Sequence, residues 1–153
     1  MANYYGAFRS NYFKVTDAQK LKEIVSKMGS TDGRVELFED NAPYYGFGGD
    51  GDLMGIWPET DDEKPTSDDT GELVDEDDLE YDFALMVQKL QDILVEDDAI
   101  IIMSSGHEKL CYVVGTAVVI TKTTSEFLDV KELAKNTARS ILRDENWDTV
   151  CEC

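Results

Sequence analysis

Thirteen carboxylates and a single lysine stand in residues 59–82, ETDDEKPTSDDTGELVDEDDLEYD. Asp61, Asp62, Glu63, Asp68, Asp69, Glu72, Asp75, Glu76, Asp77, Asp78, Glu80 and Asp82 are the candidate binding side chains of this run. Clustered carboxylates can ligate hard divalent cations through oxygen. They can also imitate the charge of a phosphate backbone and draw in a basic surface. Alternate residues of an extended chain lie ~6.5 Å apart on one face, and residues four apart on a helix are separated by ~6 Å of rise. Either geometry offers several carboxylates to several basic pockets at once. Such binding weakens steeply with salt, because the partner's own counterions are released. The competing reading is a solvated loop that only connects its neighbours, or serves solubility.

Calcium is disfavoured by pattern. Thr66, Asp68, Thr70, Gly71 and Asp77 fall on the EF-hand ligand, turn and closing positions, but two of the ligands are threonines and the closing residue is not Glu. Asp50-Gly-Asp52 has no downstream Glu at the closing offset. Cys151 and Cys153 are two thiols where a tetrahedral metal site needs four ligands. His107 is the sole histidine and lies beside Glu108 and Lys109, with no Ser or Cys in a recognised nucleophile arrangement. GFGGDG, residues 46–51, lacks the Lys-Ser/Thr ending of a phosphate loop, and its aspartate would repel phosphate. No catalytic residue, metal site or cofactor is expected. A small-ligand or enzymatic domain built on the glycine-rich 46–55 region and His107 stays open as an alternative.

The net charge is −19, of which residues 59–82 supply −12, residues 1–58 −2 and residues 83–153 −5. The charge is therefore concentrated. It excludes direct contact with nucleic acid or an anionic membrane, and points to a basic partner. A 42% hydrophobic and 10% aromatic composition supports a core. Three cysteines, an odd number, and an N-terminus without an apolar leader suggest a reducing cytoplasm. Cys111, in an apolar run, reads as a buried small hydrophobe. No apolar run approaches the roughly 18 residues of a membrane helix.

The elements that must position these groups follow from periodicity. Tyr4 to Val15 reads as a strand, bulged near Gly6 or Ser10. Thr16 and Gln19 form a capping box for a helix whose apolar face is Ala18, Leu21, Ile24, Val25 and Met28, with Gly29 as C-cap. Arg34–Glu39 and Tyr44–Phe47 read as a hairpin, and Leu53–Trp57 as a short strand. Phe83, Met86, Val87, Leu90, Ile93 and Leu94 fall at helical spacing, and Asp75–Asp78 could occupy a preceding helical turn. Ala99–Met103 and Leu110–Thr121 are β-branched strands joined by a turn over residues 104–109. A last helix begins at Asp129, with Glu132 completing a capping box and Leu128 stapling to Leu133. Its inner face would be Val130, Leu133, Ala134, Thr137, Ala138, Ile141 and Leu142. The order is β-α-β-β-(β)-acidic loop-α-β-β-α, an α+β fold with a mainly antiparallel sheet and about three helices. It spans one domain, 1–146, with the insert at 59–82 and a frayed tail, 147–153, in which Trp147 could dock.

Asn3-Tyr-Tyr-Gly, Arg9-Ser-Asn-Tyr-Phe-Lys-Val and Gly106-His-Glu-Lys-Leu-Cys-Tyr-Val-Val-Gly together resemble small acidic proteins of phages and conjugative elements of Gram-positive bacteria. The resemblance covers about a fifth of the chain and implies a mobile-element setting, with no functional residue to carry over. In size, charge and lack of a catalytic motif the chain is similar to anti-CRISPR and antirestriction proteins that act as DNA mimics. The expectation is a non-enzymatic inhibitor of a basic nucleic-acid-binding defence protein, most simply a nuclease, with Trp57 or Tyr81 as an aromatic anchor. An immunity protein against a basic nuclease toxin is the alternative that shares its electrostatics.

Overall fold

A computed structural model describes residues 4–41, 43–57, 81–109 and 111–151. Its elements run β1 (Tyr4–Ser10), β2 (Phe13–Lys14), α1 (Ala18–Lys27), β3 (Met28–Ser30), β4 (Glu36–Glu39), β5 (Tyr44–Asp50) and β6 (Leu53–Ile56). After the acidic segment come α2 (Phe83–Ile93), β7 (Ile100–Glu108), β8 (Tyr112–Ile120), β9 (Ser125–Asp129) and α3 (Val130–Leu142). The class is α+β, as expected. Seven strands form one antiparallel sheet in the order β2-β5-β1-β7-β8-β9, with β4 also on β5, while β3 and β6 pair separately.

The alternation of β7 divides its residues between the two faces. Ile100 and Ile102 are buried while Ile101 and Met103 are open. The same inner face holds Phe8 and Ser10 of β1, Phe47 of β5 and Ile120 of β8. Helices α1 and α2 cover it with Leu21, Ile24, Val25, Met86, Leu90 and Ile93. Each such side chain, fully buried, contributes on the order of 1.5–3 kcal/mol.

Several local expectations are corrected. The first strand ends at Ser10, and Asn11 beyond it donates its N–H to the Ile101 carbonyl at 3.1 Å and adds its side chain to the contact. Its amide donates to the Ala99 carbonyl at 3.0 Å, and its Oδ1 accepts from the Ile101 N–H at 2.8 Å. The α1 cap is Asp17, whose carboxylate accepts from the Gln19 and Lys20 N–H groups at 3.0 and 3.1 Å. Thr16 turns away and donates to the Ile93 carbonyl. Gly29 lies in β3, and Met28 takes the C-cap place.

Residues 104–108, expected as a turn, continue β7. They are hydrogen-bonded on both sides, to β1 from Tyr4 to Phe8 and to β8 from Tyr112 to Thr116. Two filled ladders outweigh the weak strand propensity of Ser-Ser-Gly-His-Glu. The reversal is confined to the residues after Glu108, with Lys109 at φ 51° and the Cys111 N–H donating to the Glu108 carbonyl. Cys111 is thus half-buried in a turn and disulfide-bonded, not a buried hydrophobe inside a strand.

Helix α3 differs most. It lies against β8 and β9 on the face opposite α1 and α2, where Val130 meets Gly115, and it buries none of its residues. Leu133 is 47% exposed and Ile141 76%, so the expected inner face stays largely open. Its cap is as expected, with the Asp129 carboxylate accepting from the Lys131 N–H. The chain after it is held, not frayed, up to Asp148. The Arg139 Nε donates to the Trp147 carbonyl at 2.7 Å, and Lys135 lies 2.9 Å from Asp148. A hydrogen bond from Lys135, reinforced by the Thr149 backbone, holds the Asp148 carboxyl below the usual carboxylate range. Among the described residues no helix is long and apolar enough to cross a membrane.

Candidate functional site: the neck of the acidic insert

The two chain ends that flank residues 58–80 meet. The Ile56 N–H donates to the Asp82 carbonyl at 3.2 Å and the Asp82 N–H to the Ile56 carbonyl at 2.7 Å, an isolated antiparallel bridge. One residue further out on each side, the Trp57 and Tyr81 rings pack with centroids 5.7 Å apart. The Trp57 N–H also donates to the Lys27 carbonyl at the end of α1. The segment therefore leaves and re-enters the fold at one fixed point.

Two glycines make this closure possible. Gly55 has φ 120°, and a Cβ there would lie 2.6 Å from the Asp82 carbonyl carbon and the Phe83 nitrogen. Gly29 faces the Tyr81 ring, and a Cβ would enter it. Only glycine leaves room for the backbone and the ring to come this close.

Of the twelve carboxylates expected to bind a partner, Asp82 is described and has a structural task. It is the N-cap of α2, accepting from the Leu85 N–H at 2.9 Å. Its negative charge at the helix N-terminus is favourable. Asp61, Asp62, Glu63, Asp68, Asp69, Glu72, Asp75, Glu76, Asp77, Asp78 and Glu80 lie outside the described residues, as does the helical turn expected at Asp75–Asp78 and the calcium-loop pattern. Asp82→Asn is expected to leave the thermal midpoint within a degree or so, because Asn caps equally well, whereas Asp82→Ala removes about 1 kcal/mol. Equal losses in the two variants would show that charge, not capping, is what Asp82 supplies.

Trp57 is not the exposed anchor expected of it. At 5% exposure it is buried, because β6 pairs with β3 and carries it over the end of α1, while Tyr81 is half-buried. Next to this pair is a cavity of about 420 Å³ lined by Lys27, Met28, Arg34, Val35, Trp57 and Tyr81. It sets two cations beside the neck.

The glycine-rich region and His107 are not brought together as a site. His107 stands on the outer sheet face opposite Tyr5, with ring centroids 5.7 Å apart. Gly48 and Gly49 admit Phe8 and Phe38 and the backbone of β1 and of Arg34 at close range, and Gly51, at φ 78°, turns the chain from β5 into β6. Asp52 accepts from the Tyr4 hydroxyl, and burial, then Asp52, push that phenol above its ordinary pKa. Cys151 is an exposed free thiol. Among the described residues no group of three or more His, Cys, Asp or Glu side chains is placed to hold a metal ion.

No family model, curated protein or solved structure matches the chain. The neck was not anticipated from sequence. Its signal was the placement of one aromatic residue at each border of the acidic run, Trp57 before it and Tyr81 near its end.

Proposed function

We propose that the chain is a non-enzymatic inhibitor that binds a basic nucleic-acid-binding protein through the acidic insert. The observation that carries this reading is the neck: a segment with most of the molecule's charge is anchored at both ends on a packed frame. Anchoring limits where the carboxylates can be, and so reduces the ordering cost of docking them in a basic groove. A free acidic tail would lack that constraint. The charge supplies on-rate and register, while buried contacts supply most of the affinity.

The partner class is a defence nuclease of anti-CRISPR or antirestriction type, met in the bacterial cytoplasm. In a reducing cytoplasm the Cys111 disulfide opens, so inhibition there must not depend on it. The test is capture of partners from host lysate on the immobilised chain at low and high salt. A nuclease retained at low salt and released as the Debye length falls from roughly 10 Å to roughly 3 Å is the expected result. A secreted toxin nuclease in its place would convert the reading to an immunity protein. Retention of only salt-insensitive or non-basic proteins would overturn both.

A further inference from the structure

We infer that the disulfide of Cys111 is a redox latch that ties the segment after α3 to the turn opening β8, with Cys151 as the thiol that exchanges with it. The chain has three cysteines. Cys111 is disulfide-bonded and Cys151 is a free, exposed thiol. Within one chain this leaves Cys153, which lies outside the described residues, as the other half of the bond.

The course of the chain brings these cysteines together. Arg143, at φ 54°, ends α3 in a left-handed turn. The following residues run back along the helix as a strap. The Trp147 carbonyl accepts from Arg139 at 2.7 Å, and Asp148 meets Lys135, one turn earlier, at 2.9 Å. Cys151 then lines a groove of about 370 Å³ together with Val113, Val114, Val130 and Trp147. A free thiol is thus set at the start of β8, two residues past Cys111. Two residues of chain reach at most ~7 Å, and a disulfide joins Cα atoms roughly 4.4–6.8 Å apart. Both thiols of the Cys-Glu-Cys sequence fall within that range of the turn.

The two sides of the latch differ in how firmly they are held. On the sheet side the Cys111 N–H donates to the Glu108 carbonyl at 3.2 Å, directly after the paired end of β7. On the strap side the holding contacts are ion pairs to Asp148, whose side chain is 67% exposed. Exposed pairs of this kind are weak. The covalent bond therefore decides whether the strap stays on the sheet or opens.

The chemistry balances without an outside oxidant. The Cys151 thiolate attacks the Cys111 sulfur, the bond to Cys153 breaks, and Cys153 leaves as a thiolate that takes up the proton Cys151 lost. The strap stays locked through either thiol. A dithiol reductant opens it fully: it supplies two electrons and two protons, becomes a disulfide itself, and leaves Cys111 and its partner as thiols. None of these residues belongs to the neck or the acidic segment, so the latch stands apart from the proposed inhibition.

Disulfide mapping of the full chain, prepared without reductant and with free thiols alkylated, tests the assignment. Trypsin places Cys111 in residues 110–122 and both other cysteines in residues 144–153. The expected product is these two peptides joined, with one alkylated thiol. Cys151→Ser and Cys153→Ser should each keep the link, and the double variant should lose it. Limited trypsin digestion of the native chain reads the latch itself. Cleavage after the exposed Arg143 should quicken roughly tenfold or more with dithiothreitol, and Cys111→Ser should be cleaved at the fast rate with or without it. A Cys151–Cys153 bond with Cys111 alkylated would overturn the proposal, as would a covalent dimer, loss of the link in either single variant, or cleavage that dithiothreitol leaves unchanged.

Discussion

Replacing Asp75, Glu76, Asp77 and Asp78 together by Asn and Gln is expected to abolish partner binding while leaving the fold intact. Exposed ion pairs contribute up to about 1 kcal/mol each. Four lost at once amount to ~4 kcal/mol, close to a thousandfold in dissociation constant. Calorimetric titration against the captured partner reads the loss. A thermal melt should show an unchanged or slightly raised midpoint, because removing four like charges from a chain at −19 relieves self-repulsion. The companion change at Asp61, Asp62 and Glu63 is expected to have the smaller effect. Those residues precede Pro65 and Gly71 in sequence, while Asp75–Asp78 come shortly before the sequence of α2, which starts at Phe83. Full inhibition by the four-residue variant would sink the proposed function. So would full inhibition after deletion of residues 60–78, which is the outcome a mere solubility loop predicts.

Gly55→Ala is expected to be the most damaging single change at the neck. An alanine at φ 120° is strained by on the order of 1–3 kcal/mol. Its methyl must also displace the backbone of Asp82 and Phe83, with a further penalty of about 1–3 kcal/mol for overpacking. The sum, ~2–6 kcal/mol, is a large part of the stability of a domain this size, and a urea titration will show it as a lowered midpoint. Gly33→Ala is the control. Gly33 has φ 145° but nothing within 4 Å of a Cβ, so it feels the backbone strain alone. Equal midpoints for the two variants would mean that the close approach of Gly55 to the start of α2 is unimportant.

The core and the main ladders were legible because both periodicities are clean. Phe83, Met86, Val87, Leu90 and Ile93 announce α2, and the β-branched run through Val118 and Ile120 announces β8. Three features were hidden for physical reasons. Asn11 adds two side-chain hydrogen bonds to its backbone one, which no periodicity reports. The neck depends on contacts between residues 56 and 82, set apart in sequence by a run that has no apolar pattern. Strand β9 is five residues and pairs, among the described residues, with β8 alone, so few contacts constrain its sequence. For α3 the amphipathic pattern was read correctly, but pattern alone does not say which surface the apolar stripe meets. In the single chain Val130 meets Gly115 of β8, while Leu133 and Ile141 stay open.

The bridge between Ile56 and Asp82 has a consequence for how this protein can change over generations. With both ends fixed, lengthening the intervening segment raises only the entropy of closing a loop, roughly 0.6 kcal/mol for each doubling. Duplications, deletions and even whole foreign modules could enter between residues 57 and 81 while the frame folds as before. Selection could then rewrite the segment at little risk to the scaffold. The neck is in that sense a cassette slot, and drift in segment length among descendants of this chain should far exceed drift in β1, β7 or β8.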